Sequence, residues 1–576
     1  MEWNNELNVT LLIRRMKKLK VPRLEVFMRI FFDENEVIEI NGNESCYDLL
    51  KMRFPQDYNK YLSVKVNNQL KELNFSDLKD GDKLKFIDLK DRDGKRVYIR
   101  TLKLIFLKVT KEIFDDVYIN IQHSLNKGLY VEMKLFRPLT ENDLNTIRSK
   151  MQEVIDRGIS IHREMLSIDH AIEIFAKENL SDKILLLRNW HSDEIRTYEL
   201  DGYYDMFYGY VAPCTDVISK FDLKLFGNGL ILRFPDSSGE LPEYTEDYKL
   251  AKVFDESEKW NKIMEVSNVS NLNDRIKDSS INDLILVNEA LHEKRIAYIA
   301  DQVCESEDIK LILIAGPSSS GKTTFAQRLS IQLRVNGKKT FAIGLDDYFV
   351  NREDTPLDEN GEYDFETIEA LDVDSFNKDL VSLIRGEEVK LPTFDFKLGK
   401  RKYVKPAVKL TKDHIIVVEG IHGLNERLTQ SIPADKKFKI YISALTALNI
   451  DNHNRIPTTD TRLIRRIVRD NQFRGHDALR TMELWENVGK GERKFIFPYQ
   501  ENADAIFNSS TTYELSILKK YALPLIEKVS IDSEFYSERQ RVLKFLSYFD
   551  VPEDDVETNI PQTSIIKEFL GGGLIE

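Results

Sequence analysis

Cysteine is nearly missing from this chain: Cys46, Cys214 and Cys304 are the only three in 576 residues, and they are scattered. That spacing excludes a disulfide framework and a paired-cysteine metal motif, and it fits a reducing cytoplasm. Long apolar runs are also missing. No stretch approaches the roughly 18 residues that cross a bilayer, so no membrane partner is expected. Net positive charge is lacking too. The formal net charge is −13 with a pI near 5.5, which argues against broad electrostatic capture of nucleic acid. There is no repeat or low-complexity tract. What is present, 42% hydrophobic and 31% charged residues, is ordinary for a globular protein, and the length suggests about three to five domains.

Two basic clusters stand against the acidic balance. Arg14, Arg15, Lys17, Lys18, Lys20 and Arg23 crowd one short stretch that lacks the apolar core and cleavage site of a signal peptide. It reads as a solvated basic extension with at most a weak RNA contact. The other cluster is Lys397, Lys400, Arg401, Lys402, Lys405 and Lys409.

The most informative stretch is LILIAGPSSSGKTTFA at 311–326. An apolar strand pattern leads into Gly316, Pro317, Ser318, Ser319, Ser320, Gly321, Lys322, Thr323 and Thr324, and a helical pattern follows. Glycines allow the backbone to wrap a phosphate with its N–H groups, and the helix N-terminus adds its positive end. Lys322 then reaches the β/γ-phosphates and the Thr323 hydroxyl holds Mg²⁺. The spacing predicts binding of a nucleoside triphosphate.

From Lys310 to about Val529, strands alternate with helices, the pattern of a parallel sheet covered on both faces. A strand pattern at Thr340–Leu345 ends at Asp346-Asp347-Tyr348-Phe349. A carboxylate at the C-terminal end of a parallel strand faces the ligand crevice and can act as general base; the competing reading is a helix or turn cap. His414–Val418 reads as a strand ending at Glu419-Gly420, where a carboxylate can hold Mg²⁺ opposite Thr323 or merely end a strand. Arg462, Arg465, Arg466 and Arg469 fall on one helical face. Four like charges there repel unless an anion joins them, and a transferring phosphoryl group is such an anion; an exposed charged face is the plainer reading. Arg474-Gly475 follows, as a mobile lid needs.

The motifs GPSSSGKTT, LDDYF, YDFETIEALD, LPTFDF, VVEGI and TRLIRRIVRDNQFRGHD resemble the uridine kinase and phosphoribulokinase group of P-loop kinases over about 309–530, nearest to uridine–cytidine kinase. The resemblance implies Asp346 as catalytic base, with Lys322, Arg466 and Arg469 in the catalytic set, and Thr323 and Glu419 at the metal. It further implies Arg466 and Arg474 on phosphate or substrate, and an acceptor pocket lined by Phe349, Tyr363, Asp364, Phe394, Phe396 and Ile421. ATP and Mg²⁺ are the implied cofactors, and a nucleoside 5′-hydroxyl the implied acceptor. The sequence departs from the family at Phe349 and Phe394, where the family has Tyr, and at Gly399, where a base-reading His is expected by spacing. A sugar-phosphate acceptor and a nucleotide-sensing, RNA-associated regulator are the rival readings.

Residues 35–88 resemble the TGS domain, a ubiquitin-like module, with strands at Val37–Ile40, Leu62–Val66 and Lys83–Ile87 and a helix at Ser45–Phe54. DGKRVYIRTLKLIF, the 139–175 stretch and LDGYYDMFYGYVAPCTDV resemble the editing domain of threonyl-tRNA synthetase. That family's HxxxH and CxxxH positions fall on Thr101 and Ile105, and on Phe207 and Val211, so neither water activation nor metal ligation is available from them. Residues 138–180, including His162 and His170, read as helical, and Ile184–Leu187 as a strand.

The expected organisation is a multidomain α/β chain. It comprises a basic extension (1–34), a TGS-like β-grasp domain (35–92), an α+β editing-like domain (93–236), a helical connector (237–308), a P-loop kinase domain with a parallel sheet and helices on both faces (309–530) and a tail (531–576) ending in flexible glycines. Expected partners are a small-molecule acceptor, with tRNA or other RNA through the N-terminal half and self-association as further options.

Overall fold

A computed structural model describes residues 28–32, 36–357, 361, 363–395 and 397–574. The basic cluster at 14–23 and Phe396 lie outside the described residues.

The first unit is a five-stranded sheet of β1 (Met28–Phe32), β2 (Glu36–Ile40), β3 (Tyr61–Val66), β4 (Gln69–Lys71) and β5 (Lys83–Asp88), in the order β2-β1-β5-β3-β4. One helix, α1 (Cys46–Arg53), starts at a capping box in which Ser45 and Asp48 satisfy each other's backbone N–H groups. The β3–β4 hairpin turns on Asn67 and Asn68, both at positive φ, as a two-residue hairpin requires.

The second unit is built around α2 (Arg92–Ile113). Its stretch from Arg100 to Thr110 is buried on every side, so the helix runs through the middle of the unit. Around it lie β6 (Tyr118–Leu125), β7 (Gly128–Lys134), α3 (Glu141–Asp156), β8 (His162–Ser167), α4 (Ile168–Lys177), α5 (Ser181–Arg188), β9 (Glu194–Leu200), β10 (Tyr203–Asp205), β11 (Asp222–Phe226) and β12 (Gly229–Arg233). The strands form two sheets, β11-β12-β7-β6 and β10-β9-β8. Two expectations fail here. The 138–180 helix is broken by β8, which carries His162 and pairs antiparallel with β9. Ile184–Leu187 is helical, part of α5, because a short apolar run looks alike as strand or helix until its packing is known.

Three helices follow, α6 (Tyr248–Ile263), α7 (Val269–Lys277) and α8 (Ile281–Cys304). The third unit then opens with β13 (Leu311–Ala315), α9 (Lys322–Val335), β14 (Lys339–Gly344) and α10 (Val373–Ile384). Short hairpin strands β15 (Glu388–Val389), β16 (Thr393–Asp395), β17 (Lys400–Lys402) and β18 (Val408–Lys409) precede β19 (His414–Glu419) and β20 (Lys437–Ser443). The hairpin β21 (Asn449–Asp451) and β22 (Asn454–Arg455) leads to α11 (Thr458–Arg474), α12 (Ala478–Phe495), β23 (Ala505–Asn508) and α13 (Glu514–Ile526).

The central sheet has the order β14-β19-β13-β20-β23, and every pairing is parallel. Alternation along β13 divides the core. Ile312 and Ile314 pack with Phe325 and Leu329 of α9 and Ile299 of α8, whereas Leu311 and Leu313 pack with Phe376 and Leu380 of α10. Helix α8 is thereby part of the core that holds the sheet rather than a spacer between units.

The segment after residue 530 is likewise folded back rather than a loose tail. It forms α14 (Tyr536–Leu546) and α15 (Lys567–Leu570), and Phe545, Ile565 and Phe569 are fully buried or nearly so. The glycine-rich end begins as a helix stop against α11, where Gln472 donates to the Leu570 carbonyl at 2.7 Å. Among the described residues no helix is long and apolar enough to cross a membrane.

Candidate active site

The parallel register sets the site. Ile314 of β13 and Gly344 of β14 both align with Glu419 of β19, so the loop after β13, the turn after β14 and Glu419 emerge at one edge of the sheet. Along that edge the chain runs Gly316–Gly321 and enters α9 at Lys322. Only glycine fits at 316, because a Cβ there would fall 2.1 Å from the Ile442 carbonyl oxygen. Gly321 takes φ +85, and a Cβ would meet Ile565 at 2.5 Å. Inside the turn the buried hydroxyls of Ser319 and Ser320 have no hydrogen-bond partner. Orphaned donors at a helix N-terminus suit a phosphate.

Lys322 folds over the loop, donating to the carbonyls of Gly316 (3.0 Å) and Pro317 (3.2 Å). Crowding by protein pushes its ammonium below the usual lysine range, opposed by Glu419, Glu568 and Asp346. The Thr323 hydroxyl donates to Glu419 at 3.0 Å. One hydroxyl and one carboxylate are thus adjacent. This half of a coordination sphere fits a hard divalent cation that takes its other ligands from phosphate and water. Among the described residues no cluster of three or more His, Cys, Asp or Glu could hold a metal alone.

Asp346 and Asp347 open the turn after β14. Asp347 is committed to structure: it accepts from the Phe394 N–H at 3.2 Å and faces Lys405 at 3.4 Å. Among the described residues nothing donates to Asp346. Its side chain is open to solvent yet ringed by protein, and desolvation pushes its carboxyl above the usual range while Lys322 acts the other way.

The arginine face of α11 divides into two pairs. Arg462 and Arg465 are each 1% exposed. Arg462 makes a bidentate pair with Glu492 and donates to the Ser318 carbonyl at 3.1 Å. Arg465 pairs with Glu514 at 2.8 Å and donates to the Ser319 carbonyl at 3.3 Å. The anions that balance these two are carboxylates of the chain itself, and their guanidinium groups brace the phosphate loop from behind. The reading of all four as a face awaiting phosphate is corrected for Arg462 and Arg465. Arg466, Arg469 and Arg474 instead converge on the fully buried Asp470, at 3.1, 3.3 and 3.4 Å. Arg466 also donates to the Ser318 hydroxyl at 2.9 Å.

On the acceptor side, Phe349 meets Phe394 edge to face at 5.7 Å and Phe365 at 6.1 Å, and Phe365 in turn meets Tyr363 at 6.0 Å. Asp364 accepts from the Glu366 N–H at 3.0 Å, which fixes the turn that presents Phe365 and Glu366. Ile421 is not in this cluster; it packs against the separate apolar cluster that contains Ala315, Leu424 and Tyr441. Gly399 sits at φ +66, where a Cβ would lie 2.8 Å from that of Arg352, so this position cannot present a base-reading side chain without rebuilding the turn.

Several groups here were invisible to motif reading. Glu366, half-buried, is pushed up to about 7 by desolvation and by Glu492, with Arg466 and Lys322 opposing. His422, two residues beyond Gly420, is pushed down to about 4 by burial. Glu568 of α15 accepts from the Thr324 hydroxyl at 3.0 Å and its N–H at 3.3 Å, setting a carboxylate on the helix N-terminus. Only an apolar run followed by glycines marked that segment, so no signal in the sequence led to it.

In the second unit, Ile105, Phe207 and Val211 lie in one buried apolar cluster. Thr101 is buried beside them, accepting from the Ala212 N–H at 3.0 Å. These four positions are filled with packing. Cys214 is buried against Asp216 and Tyr47, and burial pushes its thiol up to about 12.

Comparison with known proteins assigns the two halves separately. Residues 311–516 match the family model described as Phosphoribulokinase / Uridine kinase family. A uridine kinase of Saccharomyces cerevisiae is 31% identical over 202 residues, 34% of this chain and 36% of that protein. A threonine–tRNA ligase of Ehrlichia canis is 26% identical over 197 residues, 34% of this chain and 31% of that protein, and such synthetases match over the N-terminal half. The chain thus spans about a third of the length of the curated relatives it matches. A solved structure titled as a possible uridine kinase from Bacillus stearothermophilus covers 37% of this chain and 97% of its own, with 21% identity and a TM-score of 0.26. The chain therefore joins a region that matches the Phosphoribulokinase / Uridine kinase family model to an N-terminal half similar to part of threonine–tRNA ligases.

Proposed function

We propose that the protein transfers the γ-phosphoryl group of ATP, with Mg²⁺, to a hydroxyl of a small molecule, and that the acceptor is a nucleoside presenting its 5′-hydroxyl. The observation that carries this reading is Asp346: a carboxylate without a donor among the described residues, in the turn that follows the edge strand β14, between the phosphate loop and an aromatic cluster.

When bound, the triphosphate supplies the phosphoryl group and Mg²⁺ screens its charge. The chain's own parts then have separable tasks. The backbone of 316–323 cradles phosphate, and Lys322 swings from the Gly316 and Pro317 carbonyls to the charge it neutralises. Thr323 and Glu419 offer the metal's protein ligands. Asp346 takes the proton of the attacking hydroxyl, and its raised pKa brings it nearer the working range of a base. Arg466, Arg469 and Arg474, which converge on Asp470, would stabilise the developing charge. Phe349, Phe365, Phe394 and Tyr363 offer ring faces and edges to a base, which favours a nucleoside over a sugar phosphate. Phe396 belongs to the proposed set by sequence alone. The filled editing positions support reading the N-terminal half as a scaffold.

The test is ADP release across a panel of nucleosides. Asp346→Asn should lose about 10²-fold to 10⁴-fold in acceptor-dependent turnover with ATP binding retained. Turnover that needs no acceptor, or that responds only to RNA, would contradict the proposal.

A further inference from the structure

A cavity of about 460 Å³ lies between the second unit and α14, away from the phosphate loop. Its walls come from α2, β9, the 206–210 segment and α14, so it exists only because the C-terminal segment docks on the N-terminal half. The lining holds more cations than carboxylates (Asp93 and Glu194), and the cations fall into two groups. Arg96, Arg163 and Arg541 are neutralised, Arg96 by Glu538 at 2.8 Å, Arg163 by Glu72 at 3.0 Å and Arg541 by Asp460 at 2.7 and 2.9 Å.

Arg100, Arg196 and Lys544 are different. Among the described residues no carboxylate lies within 4.0 Å of any of them. Each rests instead on an aromatic ring: Arg100 on Tyr208 at 5.0 Å, Arg196 on Tyr210 at 4.6 Å and Lys544 on Trp190 at 4.5 Å. Arg100 is only 6% exposed and, among the described residues, donates a single hydrogen bond, to the Tyr210 carbonyl at 3.3 Å. Its guanidinium lies flat against the chain at Gly209, where a Cβ would fall 2.2 Å from Cζ. Two further donors, Arg196 Nε and Trp190 Nε1, are buried without acceptors. Burial and the nearby Arg196 push the Lys544 ammonium down to about 8.

Gathering like charges away from water is costly unless an anion joins them. Two guanidinium forks and an ammonium match phosphate oxygens, and the volume lies within the range of small-molecule sites. The Trp190–Tyr548 pair, 5.2 Å apart, adds ring surface beside the cations. We propose that this cavity is a second ligand site, which takes a nucleoside phosphate with its phosphate on Arg100, Arg196 and Lys544 and its base against Trp190 and Tyr548. The site is separate from the kinase centre but not isolated from it. Arg541, in its wall, grips Asp460 in the first turn of α11, the helix whose Arg466 touches Ser318 of the phosphate loop.

Calorimetric titration of the full chain with adenosine 5′-monophosphate, without divalent cation, tests this. Wild type and Lys322→Ala should bind alike. Arg196→Gln and Lys544→Gln, both half-buried and each replacing the cation by a shorter neutral polar group, should each weaken binding about tenfold or more with the melting temperature little changed. No binding at millimolar ligand, or binding lost in Lys322→Ala and kept in Arg196→Gln and Lys544→Gln, would overturn the assignment. Inorganic phosphate binding as tightly as the nucleotide would overturn the nucleoside part. Binding of a single-stranded RNA oligonucleotide with no binding of the mononucleotide would overturn the small-ligand class.

Discussion

Asp346 and Asp347 are neighbours in one turn, and their partners separate them: the second is used up by Phe394 and Lys405, whereas among the described residues no group donates to the first, the proposed base. Glu366 shows the same logic with a measurable consequence. Its carboxyl is raised from an ordinary 4.5 to about 7, so the folded state favours the neutral form. The associated stabilisation is fully present below about pH 4.5 and is lost as pH rises through about 7. Glu258, raised to about 7 by burial in the packing between β7 and α6, adds to the same slope. Glu366→Gln should therefore lose less melting temperature than wild type between pH 5 and 8. A variant as pH-sensitive as wild type would show that Glu366 is not held neutral. Nothing in the sequence marks this residue, because what raises it is burial in the fold, with Glu492 of α12 adding to it.

Contiguity decided what could be read at the scale of elements. The phosphate loop, its strand and its helix form one unbroken stretch, Glu419 ends β19 and Asp346 follows two residues after β14, so this edge of the sheet was legible. The roles of Arg462 and Arg465 were not, because their carboxylates stand 30 and 49 residues away on α12 and α13. Periodicity shows which residues share a face but not what that face meets. The docking of α15 was hidden for the same reason: Glu568 reaches Thr324 across 244 residues. This contact carries a prediction. A carboxylate at the N-terminus of α9 opposes an incoming polyphosphate, so Glu568→Gln should lower the KM for ATP about fivefold with kcat little changed. An unchanged or raised KM in steady-state kinetics would show that the contact does not compete with nucleotide.

Across the whole molecule, the halves that comparison separates are tied by buried charge. Lys183 of the second unit lies 2.9 Å from both Asp205 and Asp451, and His453 reaches Asp205 at 2.7 Å, all but sealed from solvent. Asp451 and His453 belong to the β21–β22 hairpin region of the third unit, so the network spans the junction. Removing the cation leaves two carboxylates buried without it. Lys183→Met should cost about 3–5 kcal/mol and lower a single calorimetric transition. Two separate transitions in wild type would contradict a shared fold. Such long-range pairing has no signature in a linear sequence, whereas the two families could be read from local motifs.

The central claim is that Asp346 activates an acceptor hydroxyl for phosphoryl transfer. Mass spectrometry of the products after incubation with ATP, Mg²⁺ and a nucleoside mixture tests it most directly. The account predicts a nucleoside 5′-monophosphate formed by wild type and absent with Asp346→Asn. A phosphorylated nucleoside formed equally by that variant, or ADP accumulating with every nucleoside unmodified, would contradict it.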